Sequence, residues 1–471
     1  MTECTQSSFT FASHFSREVV ARFDGGQISS DAGALLLRPI EQRTGILRQF
    51  AACFRDYRRP DLIEHTVGEL VRQRVYGIAL GYEDLNDHDQ LRQDPLLAML
   101  SGKSDLEGEH RRRRQDRGKA GAGKSTLNRL ELTKQDANQR TRYKKIVLDE
   151  KAVDALLVDL YIQAQPRSPQ RIVLDLDATD DPVHGEQEGR FFHGYYGAYC
   201  YLPLYIFAGE HLLCARLRPS NIDASAGALE EIQRIVKQLR RVWPEVEIVL
   251  RADSGFCRDA IMTWCEQNRV AYVFGLAKNE RLLKKARKPM KQAQRQWKQT
   301  ARPARVFTEF RYCTRETWSR ARRVIAKAEY LEKGENPRFV VTSWSAEQME
   351  ARPLYEAFYC ARGDMENRIK EQQLALFADR TSTRWMRSNQ IRLYCSSIAY
   401  CLLQALRRLG LAGTDMAKAQ CQTIRLRLLK IGAQVRITVR KIWVSLAAGY
   451  PWATLFAEVH HNLEERQPLR C

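Results

Sequence analysis

Ile172-Val-Leu-Asp175-Leu-Asp177-Ala-Thr179 decides how the rest of the chain is read. Its aliphatic residues crowd into a run too short for a helix, which predicts a buried strand. Aspartates two positions apart on a strand share a face. Burying one of them without a partner would cost several kcal/mol, on the order of a buried ion's effective penalty. The pair therefore asks either for a cation or for a place at the strand's open end.

Two further acids stand in comparable settings. Asp253 ends the run Val246-Glu-Ile-Val-Leu-Arg-Ala-Asp253, which also reads as a strand, and is followed by Ser-Gly-Phe256. Glu366, in Tyr359-Cys-Ala-Arg362-Gly-Asp-Met-Glu366, opens a stretch with helical apolar spacing at Ile369, Leu374 and Phe377. Two strands and a helix can bring Asp177, Asp253 and Glu366 to one point. Three carboxylates so gathered suit hard divalent cations, which take oxygen ligands.

The chain between these acids predicts strands at 172–176, 199–207 and 212–217, with a hairpin link at Ala208-Gly209-Glu210. A helix over 224–242 follows, stopped by Pro244; then come the Asp253 strand, a helix over 259–268 and a strand over 270–276. In a ribonuclease-H-like fold this order places acids on the first strand, at the end of the fourth, and on a helix after the fifth. The expected class is thus α/β, with a ribonuclease-H-like catalytic core, a β-rich insertion and largely helical N- and C-terminal regions. The expected divisions are 1–165 (mainly helical, DNA-binding), 166–277 (core, first part), 278–355 (basic, β-rich insertion), 356–412 (core, second part, with the glutamate helix) and 413–471 (basic tail).

The composition narrows the partners. At 471 residues the chain can bury a substantial core, and a formal net charge of +20 favours a polyanion, nucleic acid first. The 12 cysteines include no Cys-x-x-Cys pair, and neither they nor the nine histidines show zinc spacing, so they read as buried apolar groups in a reducing compartment. With no leader-like start and no membrane-length apolar run, the expectation is a cytoplasmic protein.

Asp177-Ala-Thr179, Arg251-Ala-Asp253-Ser-Gly-Phe256 and Tyr359-x-x-Arg362-x-x-x-Glu366 together resemble the catalytic segments of DDE transposases from bacterial insertion sequences. With Phe23-Asp-Gly-Gly and Asp180-Asp-Pro-Val-His-Gly185 the likeness is nearest to the group numbered thirteen-eighty. The resemblance implies an enzyme that binds two Mg²⁺ ions, or Mn²⁺ in their place, through Asp177, Asp253 and Glu366. It implies cleavage of the element's terminal inverted repeats and their transfer to target DNA, by a dimer on DNA and without a nucleotide cofactor. It assigns DNA-backbone contacts to Tyr359 and Arg362. Related cut-and-paste families complete a Tyr-Arg-Glu-Lys signature with a lysine two helical turns after the glutamate; here that position is Gln373, and Lys370 is the substitute on the same face. An aromatic of the insertion would stack on a base drawn out of the duplex, with Trp318 the first candidate and Trp297 and Trp344 behind it. Two alternatives stay open: a nuclease of the same fold without strand transfer, and an inactive DNA-binding relative.

Two basic segments need separate readings. Lys284, Lys285, Arg287 and Lys288 begin a run that reads as a phosphate-tracking surface or a solvated linker. Gly118-Lys-Ala-Gly-Ala-Gly123-Lys124-Ser125 matches a phosphate-binding loop letter for letter, but His110-Arg-Arg-Arg-Arg-Gln-Asp-Arg117 precedes it where a buried strand is required. It reads as a mobile basic loop with Ser125 as the following helix cap.

Overall fold

The computed structural model describes residues 8–465. They form two compact units: one comprises Glu150–Leu374 and Ala378–Tyr394, and the other the described residues up to Asp149, Ala375–Phe377 and those from Cys395 on.

The first of these is built on a nine-stranded mixed sheet. Strand Arg171–Ala178 lies inside it. On one side Leu204–Ala208 pairs antiparallel with it, and His211–Arg216 pairs antiparallel beyond, after a tight link in which Gly209 takes φ +59°. On the other side Glu247–Ala252 and then Val270–Leu276 follow in parallel. Parallel neighbours need crossovers. Helices Ala228–Val242 and Asp259–Gln267 supply them, burying Ile232, Ile235, Val236 and Leu239 from the first and Ile261, Met262 and Cys265 from the second.

Alternation along the strands separates two faces. Ile172, Leu174 and Leu176 join Ile206, Ile248 and Leu250 in the larger core, with the crossover helices' apolar residues. Val173 packs on a second cluster that holds Val249, Val273, Val340, Trp344, Leu354 and Tyr355. Each fully buried side chain of this size is worth about 1.5–3 kcal/mol, and a one-residue slip would exchange the faces. The register is therefore firmly held, and Asp175 and Asp177 fall on the face opposite the larger core.

Some expectations change here. The stretch expected as one strand over 199–207 is two, Ala198–Tyr201 and Leu204–Ala208, parted at Leu202-Pro203. The strands of the expected insertion, Ala304–Tyr312, Arg322–Leu331 and Arg338–Thr342, form no sheet of their own; Arg338–Thr342 pairs with Val270–Leu276 and the others continue outward. Val270–Leu276 is largely buried, so an unpaired edge there would strand backbone donors and acceptors. The basic run is a helix, Glu280–Thr300, capped by Asn279, whose Oδ1 accepts the Leu282 N–H at 3.0 Å. Leu282, Ala286, Met290 and Ala293 form its buried stripe.

The other unit contains an exposed hairpin, Phe9–His14 with Arg17–Ala21, and helices such as Val67–Leu80, which starts with a Thr66/Glu69 capping box. The segment expected as a tail is folded in: Ala433–Ile437 pairs with Gln27–Ser29 on one side and Ile442–Leu446 on the other. The glycine-rich segment is pinned rather than mobile. Gln73 accepts the Ala122 N–H at 2.8 Å and donates to the Ala122 carbonyl at 2.7 Å, and Asp89 accepts the Lys124 N–H at 3.0 Å. Those amides are taken up by protein oxygens, and the helix cap is Gly123 rather than Ser125. Among the described residues no helix is long and apolar enough to cross a membrane.

Candidate active site

The parallel pairing of the two acid-bearing strands sets the site. Ala252 is in register with Leu176, so Asp253 follows one strand abreast of Asp177 on the other; parallel neighbours lie about 4.8 Å apart. The Asp177 carboxylate accepts the Ala178 N–H at 2.9 Å. Asp253 caps the turn Ser254–Phe256 by accepting the Gly255 N–H at 2.8 Å. One step deeper, Asp175 and Arg251 are also in register and form a buried two-bond ion pair at 2.6 and 2.8 Å. Asp175 is thereby paired by a side chain of the sheet itself, whereas Asp177 stands at the strand end.

Glu366 reaches the strand acids on an irregular helical path. A π-helical turn, Leu354–Tyr359, passes through a 3₁₀ turn, Cys360–Arg362, into the helix Gly363–Lys370. Departures of this kind inside helices are frequent at functional sites. Arg362 spans the acids: its guanidinium donates to Glu366 Oε1 at 2.8 Å and lies 3.5 Å from Asp177 Oδ2. The Tyr359 hydroxyl is seated against Gly275 on the strand beside Asp253. A Cβ at Gly275 would lie 2.5 Å from Tyr359 Oη, 2.9 Å from the Ser254 nitrogen and 3.2 Å from the Asp253 carbonyl carbon. Only glycine leaves room for this approach.

The electrostatics mark the same place. Burial, together with the charges of Asp253 and Glu366, pushes the Asp177 carboxyl up to about 7, against the pull of Arg362 and the Ala178 N–H. Burial and the Asp253 charge likewise raise the Tyr359 phenol, opposed by Arg362. Arg362 is held above its usual range: burial disfavours its charge, but Asp177, Tyr359, Glu366 and Asp253 outweigh it. As arranged around Arg362, no group of three or more His, Cys, Asp or Glu side chains among the described residues closes into a metal cage.

The other predicted residues fall into two groups. Lys370 is exposed on the Glu366 helix, and Lys284, Lys285, Arg287 and Lys288 are all exposed along Glu280–Thr300. Trp318, by contrast, is a core residue: it is 9% exposed, edge-on to Tyr312 at 5.6 Å and covered by Arg322 at 5.5 Å. Contrary to the base-stacking expectation, its ring is engaged by these two side chains rather than presented to solvent. Trp344 is packed against Phe358 in the second cluster, and Trp297 lies on Tyr330. Gln373 donates to the Asp180 carbonyl at 3.1 Å and to Asp181 Oδ1 at 3.2 Å. Asp181 is fully buried, and burial holds its carboxyl well above the usual range. Sequence reasoning passed over Arg251 and Gly275. Arginine in a buried strand next to an acid-bearing turn was the available signal for the first; glycine inside an apolar strand run was the signal for the second.

The family model described as "Transposase DDE domain group 1" matches residues 11–468, and the chain belongs to that family of DDE transposases. Comparison with curated proteins gives no significant match. Among solved structures, a piggyBac transposase synaptic complex with hairpin DNA is similar at 9% identity and a TM-score of 0.42, covering 94% of this chain and 83% of that one. A likeness that loose carries no argument.

Proposed function

We propose that this transposase cleaves the terminal inverted repeats of its own insertion sequence and joins them to target DNA, in a ribonuclease-H-like core where Asp177, Asp253 and Glu366 hold two divalent ions. The observation that carries the reading is Asp177 and Asp253 abreast at the ends of two parallel strands, with Arg362 bonded to Glu366 and 3.5 Å from Asp177, and with burial and the charges of Asp253 and Glu366 raising Asp177 to about 7. An all-oxygen donor set of that kind fits Mg²⁺, with Mn²⁺ as a substitute. Bound there, two ions would stabilise both the attacking and the leaving oxygen of an in-line phosphoryl transfer.

The chain's own groups have distinct work. Arg362 neutralises Asp177 and Glu366 in the absence of ions, and its planar fork suits a DNA phosphate once ions take over that role. Tyr359 presents its hydroxyl beside Asp253 for a backbone contact. Lys370 and the exposed Lys284, Lys285, Arg287 and Lys288 add positive charge along the DNA path. No nucleotide is needed, because one phosphodiester is exchanged for another. Joining two ends calls for two protomers on DNA, and the protein so read works in the cytoplasm as one of the thirteen-eighty group.

The test is strand transfer by purified protein with a precleaved end of the flanking element, supercoiled target and Mg²⁺, beside Glu366→Gln. Joined product from the parent, reduced at least about 1000-fold in the variant, is expected for an ion ligand on which both transfer steps depend. Nicking of the supercoiled target with no joining, in Mn²⁺ as well, would replace the transposase reading with a nuclease. Equal joining by both proteins would remove Glu366 from the site.

A further inference from the structure

Beneath the acids lies a contact that the reaction itself does not use. Arg251, 8% exposed, gives Nε and Nη2 to the two oxygens of Asp175 and turns Nη1 to the backbone carbonyl of Phe358. The Phe358 ring faces the same guanidinium, 5.2 Å from Cζ, and stands edge-on to Trp344 at 4.8 Å. Phe358 belongs to the π-helical turn that leads directly into Tyr359, Arg362 and Glu366. One buried side chain thus ties the Asp177 strand, through Asp175, and the Asp253 strand, through its own backbone, to the start of the segment carrying the third acid.

We propose that Arg251 is a positioning residue that sets where the Glu366 segment enters the site, through its bond to the Phe358 carbonyl. The proposal rests on the reading of Asp177, Asp253 and Glu366 as the active site. Stability alone is a weak reason for such an arrangement, since an apolar pair of similar volume usually serves a core as well as a buried ion pair. What an apolar pair cannot do is hold a backbone carbonyl outside the sheet. The guanidinium fork reaches both partners at once; a lysine ammonium is a single point charge on a flexible stem. A displacement of about 1 Å at a reacting centre can reduce a rate about 100-fold.

Two full-length variants separate positioning from stability. Arg251→Lys keeps a cation beside Asp175 while giving up the fork. Asp175→Leu with Arg251→Met removes both charges and leaves neither unpaired. Amide hydrogen exchange reports local opening whether or not DNA is cut. In both variants, exchange over residues 354–366 is expected to rise at least about tenfold, with the strand Arg171–Ala178 still protected. The cleavage kcat is expected to fall about 100-fold, with KM for DNA unchanged. Should the double variant fail to fold, Arg251→Lys alone decides. Parent-like exchange over 354–366 overturns the proposal, as does a rise spread evenly through the sheet, which assigns the pair to stability alone. A parent that does not cut DNA, beside an Arg251→Lys variant with this segment selectively loosened, refutes the transposition reading and leaves the clamp standing.

Discussion

Asp175 and Asp177 occupy the same face of the same strand, one pleat apart, and lead opposite lives. The inner acid is held by two bonds from Arg251 across the sheet. The outer one shares a guanidinium with Glu366, and burial, with the charges of Asp253 and Glu366, pushes its carboxyl up to about 7. Burial raises both carboxyls, but Asp175 has two bonds from a guanidinium of its own against that cost, whereas Asp177 has a shared guanidinium and other carboxylates beside it. Identical residue types two positions apart are sorted by what the neighbouring strand offers each of them: arginine at one level, another carboxylate at the next.

Breaking the inner layer should cost most. Asp175→Asn leaves a buried guanidinium without its counter-charge, and denaturant unfolding should show a loss of about 3–5 kcal/mol; a loss under about 1 kcal/mol would erase the distinction between the layers. Gly275→Ala comes next. Its methyl must displace Tyr359 Oη and the Ser254 backbone, and overpacking of this kind costs about 1–3 kcal/mol. Adding Tyr359→Phe should return part of that stability, because it removes one of the two clashing atoms.

The remaining effect has the opposite sign. In chelator-treated protein the raised Asp177 carboxyl lets the folded state keep a proton that the unfolded chain releases near its ordinary value of 3.8. Its contribution is therefore fully present below that value and is lost as pH rises through about 7. Asp177→Asn should flatten this decline and leave stability at neutral pH equal to or above the parent's. Melting curves of the two proteins across that range check it, and a parallel decline in both would assign the slope to another group.

Local pattern carried much of the architecture. The acid-bearing strands, both crossover helices and the hairpin at Gly209 could be read from apolar spacing and turn residues, because each is determined within a dozen residues. What escaped depends on distant partners. Nothing near Ala433 announces its pairing with Ser29, and nothing near Arg251 announces Asp175 or Phe358. Helix Glu280–Thr300 was legible in part: the Asn279 cap and the Leu282, Ala286, Met290, Ala293 stripe are helical signals, masked by dense charge and by Pro289. Trp318 was misjudged because an aromatic among polar residues looks available until Tyr312 and Arg322 close over it. The burial of Asp181 is equally hidden, since an aspartate in a turn-like run gives no hint that Gln373 will cover it.

Gly275 gives the site an unusual grain. Most pockets can be tuned by a graded series of side chains, each a little larger or more polar than the last. Here the gap between the Tyr359 hydroxyl and the turn after Asp253 is set by the absence of any side chain, so the first rung of that ladder is already too wide. Variation that reshapes this corner has to come from the other wall, by changing the tyrosine or re-routing its helix, while the glycine wall stays bare.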